Sequence, residues 1–241
     1  MKFSIRTTLR LLLPTAADIL LNFRALKNGD KSQFGEQKLL LQYLQKNQAL
    51  NLPKLYLEIG AAYPIFHSNS YALSKLEYRG VSYDANKKYF LQWRLFRKND
   101  KFVSRAVISS NEKNQIILRK YPSTHSSLST TSDIQDTEWQ RLFKVRSKAK
   151  SVKAVGIETV YLDFIKSYNE IPTILMLDVE GIDEALIIKL LKTLDYKLYP
   201  RLILIECEES VMRPESPLSQ FYELYGTAGL SILLSLKQCN T

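Results

Sequence analysis

Apolar residues along this chain fall alternately into short continuous runs and longer stretches with helical spacing. The run "KLYLEIG" predicts a buried strand ending in a glycine turn, and "SNSYALSKLEYRG" predicts a helix that closes at Gly80. The succession recurs, with further strands predicted at "GVSYDA", "KFVSRAVISS", "TILMLDVEG", "RLILIEC" and "LSILLSLK". Strands separated by helices predict an α/β fold with a mostly parallel sheet and helices on both faces.

Two regions depart from this alternation. Residues 111–158 hold a predicted strand, "QIILRKY", and then Ser- and Thr-rich and basic stretches without periodicity. This pattern predicts an insertion or mobile cover over the sheet edge. Near the carboxyl end, a helix around "SQFYELYG" and only one further strand are expected after "RLILIEC". A closing strand would then be missing, which would expose a sheet edge.

The chain has 241 residues, 45% of them hydrophobic, which fits one globular domain. We divide it into an N-terminal helical segment, residues 1–31, and a main domain, residues 32–241. In the first segment Arg10, Pro14 and Asp18 interrupt the apolar run, which predicts a packing helix rather than a signal peptide or a membrane span. The alternative is a helix that lies on a membrane, because basic residues flank its leucines: Arg6, Arg10, Arg24 and Lys27.

The chain is basic, with 34 Lys and Arg against 24 Asp and Glu. Such a surface attracts phosphates, nucleic acid or an acidic membrane, although a merely solvated basic face explains the excess as well. The two cysteines, Cys207 and Cys239, lie far apart without a CxxC or a paired His. We therefore expect no disulfide framework, no zinc site and a cytoplasmic location, with membrane association left open.

Candidate ligand-binding residues stand where the predicted strands end, because ligands of an open parallel sheet bind beyond the carboxyl ends of its strands. Glu58 and Gly60 end the first strand, and glycine would let the backbone approach a ligand closely. Asp84 ends the second strand, at the distance expected for an acid that accepts hydrogen bonds from ribose hydroxyls. Pro64 replaces a later glycine, which disfavours a dinucleotide pyrophosphate.

Six segments occur in the order typical of one enzyme family: "YLEIGAAYPIFHSNSYAL", "YRGVSYDANKKYF", "RAVISS", "ETVYLDFI", "LMLDVEGID" and "RLILIEC". Over residues 32–236 the chain resembles FkbM-type methyltransferases. It departs from them at Glu58–Ala62, where the family often has Asp-Val-Gly-Ala-Asn, and at Lys87, where proline is frequent.

The resemblance implies a class I, Rossmann-like fold and S-adenosylmethionine as the cofactor. The expected reaction is methyl transfer to a hydroxyl of a sugar, a nucleotide-sugar or a glycan precursor, with or without phosphate, rather than to nucleic acid. Ten residues are the expected cofactor contacts: Glu58, Gly60, Ala61, Ser68, Asn69, Ser70, Asp84, Ala85, Ala106 and Val107.

Asp178 and Glu180 are the candidate catalytic residues. They stand two apart, so on an extended strand both carboxylates point to one side, where either could act as the general base. Together with Glu206 they are also candidate ligands of Mg²⁺, which prefers oxygen donors.

Simpler roles remain open for these residues. Glu58 could cap the next helix, Asp84 could be a solvated loop acid, and Ser68–Ser70 could be an ordinary capped helix start. Asp178 and Glu180 could merely complement a helix dipole. The alternative functions are an RNA methyltransferase and a non-catalytic binding protein on a methyltransferase fold. The oligomeric state is left open.

Overall fold

The computed structural model of the protein describes residues 18–27, 31–47, 52–122 and 128–237. In chain order the strands are β1 (Leu55–Ile59), β2 (Arg79–Asp84), β3 (Lys101–Ser104), β4 (Ala106–Ile108), β5 (Gln115–Lys120), β6 (Lys148–Gly156), β7 (Ile174–Leu177), β8 (Leu202–Glu206), β9 (Tyr222–Ala228) and β10 (Ser231–Leu236). The helices are α1 (residues 18–25), α2 (Glu36–Lys46), α3 (Tyr71–Lys75), α4 (Phe90–Phe96), α5 (Asp133–Phe143), α6 (Ile157–Tyr168), α7 (Asp183–Thr193) and α8 (Pro217–Phe221).

The central sheet has seven strands in the order β3-β2-β1-β7-β8-β10-β9. Strands β3, β2, β1, β7 and β8 pair in parallel, and β10 runs antiparallel to both β8 and β9. The winding direction reverses between β1 and β7, which is where open α/β sheets bind ligands. The predicted α/β fold with a mostly parallel sheet is confirmed.

Helices cover both faces of this sheet, because alternate residues of each strand face opposite sides. Leu175 and Leu177 of β7 pack with helices α6 and α7. Ile174 and Met176 of the same strand pack with α2 and α3 on the other face. The short runs of consecutive apolar residues in the sequence reflect this burial on both sides.

The sheet closes with an antiparallel strand pair, so the prediction of a missing closing strand was wrong. The segment expected to be helical around residues 219–226 gives only the end of α8, and β9 begins at Tyr222. Its Tyr and Thr residues suit a strand, and pairing with β10 outweighs the helical spacing. Helix α2 packs beside β9, with Tyr43 and Tyr225 in edge-to-face contact at 4.9 Å between ring centroids.

The predicted third strand is broken in two. It divides at Arg105 into β3, in the central sheet, and β4, which joins β6 and β5 in a separate three-stranded sheet. The insertion is also more regular than its lack of periodicity indicated, since it supplies β5, α5 and β6. Ser132 caps α5 by accepting a hydrogen bond from the Gln135 N–H at 3.2 Å. Disorder was expected somewhere within this insertion, of which residues 123–127 lie outside the described residues.

Helix α1 packs onto the turn that follows β1. Its Asn22 accepts hydrogen bonds from the backbone N–H groups of Ile65 at 3.1 Å and Phe66 at 3.2 Å, and donates to Gln92 at 2.8 Å. The expected packing role is thus seen for residues 18–25, whereas Arg6, Arg10 and Pro14 lie outside the described residues. No helix within the described ranges is long and apolar enough to cross a membrane.

Gly60 makes the closest backbone approach in the centre of the sheet. A Cβ atom added there would lie 1.6 Å from the carbonyl oxygen of Asp178, and its φ of +89° already disfavours other residues. The sequence suggested that this glycine gives room for a ligand, and that remains a prediction. The structure adds a second need for glycine, because a side chain here would collide with the backbone that leaves β7.

We expect Gly60→Ala to destabilise the protein far more than Gly35→Ala. Gly35 also has a positive φ, +96°, but a Cβ there meets nothing within 4 Å. Both substitutions therefore cost about 1–2 kcal/mol in backbone strain, and only Gly60→Ala adds the collision with Asp178. Urea unfolding of the two variants measures this difference. Equal losses of stability would contradict the importance of this contact.

Candidate functional site

A cavity of about 240 Å³ opens at the carboxyl ends of β1, β2, β7 and β8. It brings together eight of the ten predicted cofactor residues and all three predicted acids. The lining includes Glu58, Gly60, Ala61, Asn69, Asp84, Ala85, Ala106, Val107, Asp178, Glu180 and Glu206. Ser68 and Ser70 are almost fully buried and do not line it.

Asp84 is held rigidly at the end of β2. Its two carboxylate oxygens accept backbone N–H hydrogen bonds from Ala62 at 2.9 Å and from Asn86 at 2.6 Å. Burial raises its pKa to about 6, while these two hydrogen bonds and Lys88 lower it. Each carboxylate oxygen can accept a further hydrogen bond, so Asp84 remains able to bind hydroxyl groups.

Asn86, which the sequence analysis missed, lies beside Asp84 in the cavity lining. It is only 4% exposed, and its amide Nδ2 has no hydrogen-bond partner within the described part of the chain. An unpaired buried donor is costly unless a ligand or water completes it. Its place two residues after the strand-end acid was the available sequence signal.

Glu58 anchors the turn beneath the cavity. Its Oε2 accepts hydrogen bonds from Ser70 at 2.8 Å and Ser82 at 2.7 Å, which tie the turn to β2. Burial raises its pKa to about 7, against the opposing effects of Arg97 and the two serines. Ser70, expected as a cofactor contact, therefore serves Glu58 instead, because its hydroxyl points into this buried network.

Arg97 completes that network from the end of α4. Its guanidinium forms an ion pair with Asp100 at 2.6 Å and donates to the Tyr56 hydroxyl at 2.8 Å and to the Pro64 carbonyl at 3.2 Å. The proline of the turn is thus held by its carbonyl oxygen. The turn keeps its shape through side-chain hydrogen bonds at the place where nucleotide-binding turns commonly have a second glycine.

Asp178, Glu180 and Glu206 form an acidic cluster. One carboxylate oxygen of each lies within 4.8 Å of the others. The prediction that these acids converge is confirmed, but its reason was wrong. Strand β7 ends at Leu177, and Glu180 adopts a left-handed conformation with φ +57°, so the chain is not extended there.

Burial and repulsion by neighbouring carboxylates favour the protonated forms of Asp178 and Glu180. The pKa of Asp178 is raised, first by burial and then by Glu206, and the pKa of Glu180 rises to about 8 for the same reasons. Asp183, which the sequence analysis did not single out, accepts the Val179 N–H at 2.9 Å and has a pKa raised to about 7, mainly by burial. Its position at the start of α7 was its sequence signal.

The insertion covers the acidic cluster. The Thr130 hydroxyl donates to the backbone carbonyl of Glu180 at 2.6 Å, and Trp139 and Phe143 of α5 line the cavity. The Trp139 indole lies near enough to Glu180 to lower the pKa of its carboxyl, although no hydrogen bond of ordinary geometry forms. Sequence reasoning missed these residues. The spacing of four between Trp139 and Phe143 was the only local signal.

The acidic cluster has the donor chemistry that Mg²⁺ requires. Oxygen ligands at 2.0–2.1 Å from one ion lie at most about 4.2 Å apart. The three carboxylate oxygens lie within 4.8 Å of one another, which is about half an ångström beyond that maximum. Small side-chain rotations would therefore suffice to bring all three acids onto one ion. A cation would also offset the repulsion that raises the pKa of Glu180.

The structure is thus an α/β protein with an acid-lined cavity at the switch point of a mostly parallel sheet. No protein-family profile matches this chain, and no curated protein sequence matches it.

We expect Glu180→Gln to stabilise the protein at high pH in the presence of EDTA. Burial raises the pKa of Glu180 from its ordinary 4.5 to about 8, so the folded state binds this proton more tightly than the unfolded state does. The wild type therefore loses up to about 1.4 kcal/mol of stability per pH unit across that interval, and the neutral amide does not. Urea unfolding at pH 4.5, 7 and 9 measures the effect.

The gain in stability should vanish at pH 4.5 and level off above pH 8. Glu170→Gln, at an exposed position, is the matched control and should show no such trend. A Glu180→Gln variant with no stability gain at pH 9 would contradict the raised pKa.

Proposed function

We propose that this protein is an S-adenosylmethionine-dependent O-methyltransferase that acts on a hydroxyl of a sugar, nucleotide-sugar or glycan precursor. One observation carries the proposal. Three features face one cavity at the switch point of the sheet. They are the glycine turn after β1, the acid Asp84 in the position expected to bind ribose hydroxyls, and the two acids Asp178 and Glu180 that follow β7. This is the arrangement that the resemblance to FkbM-type methyltransferases implies.

The charge of the cavity supports this cofactor over a phosphate-bearing one. Among the described residues that line it are six carboxyl side chains, which are Glu36, Glu58, Asp84, Asp178, Glu180 and Glu206, and one arginine, Arg105. In their ionised forms these carboxyl groups repel the phosphates of a dinucleotide and attract the sulfonium and ammonium groups of S-adenosylmethionine, and a bound cation would in turn lower the raised pKa values of Glu58, Asp84 and Glu180. The Asn86 Nδ2, which has no partner among the residues that the structure describes, can donate to the nucleoside part.

The last two strands of the chain give further support. The resemblance to class I methyltransferases implies an antiparallel pair after the fifth parallel strand, and β9 and β10 form such a pair. The turn after β1 also stays ordered without a second glycine, because Arg97 and Ser70 hold it.

S-adenosylmethionine would supply an electrophilic methyl group to the acceptor oxygen. In this mechanism Asp178 or Glu180 accepts the proton of the acceptor hydroxyl, which is a poor nucleophile until that proton begins to leave. Trp139 and Phe143, which line the cavity, would help to exclude water from the reacting groups. The main contribution of the site is alignment of the two reactants, which can be worth about 7–11 kcal/mol.

We also propose a cytoplasmic location. Cys207 forms no disulfide with another described residue, which is compatible with a reducing compartment.

Asp84→Asn should weaken S-adenosylmethionine binding about tenfold to a hundredfold in calorimetric titration. The amide cannot accept ribose hydrogen bonds on both of its terminal atoms, and bonds to a charged group are worth about 1.5–3 kcal/mol. Asp163→Asn, at an exposed position on α6, is the matched control and should bind like the wild type. A wild-type protein that binds no cofactor would instead support the non-catalytic alternative.

Asp178→Asn and Glu180→Gln should each lower the methyl-transfer rate about a hundredfold or more, the usual contribution of a general base or of groups that position it. The assay uses labelled cofactor and a panel of nucleotide-sugars and glycan diphosphates. If Glu180 is the base, the wild-type rate rises with pH through about 8 because the carboxyl must first lose its proton.

Glu184→Gln is the control for this pair, since Glu184 stands on the same helix as Asp183 but forms a surface ion pair with Arg213 at 3.0 Å. Its rate should equal that of the wild type. Full activity in the Asp178→Asn, Glu180→Gln double variant would remove the proposed roles of both acids.

A further inference from the structure

Large apolar side chains are exposed on two helices that lie side by side. Helices α1 and α4 touch through the hydrogen bond between Asn22 and Gln92 and through the rings of Phe23 and Phe96, whose centroids are 5.1 Å apart. Four side chains of this pair are more than half exposed: Leu20 at 55%, Phe23 at 54%, Leu91 at 61% and Leu95 at 55%. We call these four residues the α1/α4 surface. Clustered exposure of this kind marks an interaction site more often than single exposed leucines do.

Only basic charges surround the α1/α4 surface on its own helices. Residues 19–27 and 85–99 contain no Asp or Glu. They carry five exposed basic side chains: Arg24, Lys27, Lys87, Arg94 and Lys98. The Asp18 carboxylate at the start of α1 is buried and is paired with Lys88 at 3.2 Å. The surface therefore presents apolar groups within a positive field.

A second group of lysines extends this field. In the antiparallel pair of β5 and β6, Lys120 stands directly opposite Lys148, and Lys150 lies on the same face because it pairs with Leu118, two residues before Lys120. Like charges at such positions destabilise an antiparallel pair. The same face carries Ile116 and Val152, which pack together with Ala85 against the cluster of Ala106, Ile108 and Ala154, so it leads toward Lys87.

The surroundings of Lys120 agree with this placement. Its pKa is lowered first by burial and then by Lys150, Lys88 and Lys87. Lys87 stands one helical turn before Leu91, which links the lysines to the exposed leucines of α4. We call Lys87, Lys120, Lys148 and Lys150 the lysine cluster, and leave out Lys88 because it is already paired with Asp18.

We infer that the α1/α4 surface and the lysine cluster together dock the protein on an anionic lipid bilayer. Leucine and phenylalanine side chains insert at the boundary between headgroups and acyl chains, and lysines and arginines attract anionic headgroups. RNA would use the cations but leave the leucines exposed. A neutral protein partner would use the leucines but leave the cations unmatched. Only an anionic, partly apolar partner satisfies both groups.

Docking there would bring the cavity close to the lipid. Asn86 and Tyr89, on either side of Lys87 and Lys88, both line the cavity. The turn residue Tyr63, which also lines the cavity, donates a hydrogen bond to Asp18 of α1 at 3.1 Å. The binding itself is independent of the proposed methyl transfer.

The test is co-sedimentation of the full chain with vesicles of phosphatidylcholine alone or mixed with phosphatidylglycerol. We expect binding to the anionic vesicles only. Leu91→Gln with Leu95→Gln removes exposed apolar groups without touching the core, and should weaken binding about tenfold. Lys120→Gln, Lys148→Gln and Lys150→Gln together should weaken it about tenfold to a hundredfold, since each charge near such a surface contributes measurably.

Two matched controls make the result specific. Leu162→Gln with Leu224→Gln removes leucines at 42% and 40% exposure that lie away from the cavity, and Lys166→Gln, Lys189→Gln and Lys192→Gln remove three exposed lysines of α6 and α7. Both controls should bind vesicles like the wild type.

Three outcomes would overturn the inference. The first is that the protein does not bind vesicles, which is expected if residues 1–17 or a second copy of the chain occupies the surface. The second is that the substitutions of Leu91 and Leu95 leave vesicle binding unchanged. The third is salt-sensitive binding of RNA without binding of vesicles. Cofactor titration of the same variants reports separately on the proposed function, so failure of one idea is distinguishable from failure of the other.

Discussion

The contact between Gly60 and the backbone of Asp178 is the constraint on which the site depends. It lets the turn after β1 pass directly over the chain leaving β7, with no side chain between them. The Asp178 N–H still donates to the Ile59 carbonyl at 2.9 Å, so the two strand ends remain paired up to the point where they diverge. Residues on both sides of the switch point consequently share one cavity. A larger residue at position 60 would separate them.

Buried polar groups then fix the shape of the turn. Glu58, Ser70, Ser82 and Arg97 form a connected network beneath the cavity, and Asn22 holds the turn from its outer side. Such networks are stabilising only when nearly every member is satisfied. The network explains how a chain with Pro64 in this turn still presents a defined surface to a ligand. It also gives the N-terminal helix a structural task, since α1 supplies Asn22.

The parts that were predictable from the sequence are those that local patterns determine. Buried parallel strands are short apolar runs, so β1, β7 and β8 were found, and the acids after them had to meet at one edge of the sheet. The break at Arg105 and the strand β9 depend on pairing with distant segments, which no local pattern reveals. The left-handed conformation of Glu180 could not be predicted locally either, because its backbone is bonded to Thr130, which is 50 residues away in the sequence. The cover residues Trp139 and Phe143 reach the cavity only through tertiary packing.

The hydrogen bond from Thr130 to the carbonyl of Glu180 joins the cover to the acid-bearing loop. Residues 111–158 are therefore not an independent module that could be exchanged for the corresponding segment of another protein. Under the proposed function, a graft with a different cover would alter which acceptors can enter and, through the same bond, the placement of the carboxyl that would receive the proton. Acceptor selectivity and catalytic competence would then be inherited together, and engineering one would require redesign of the other.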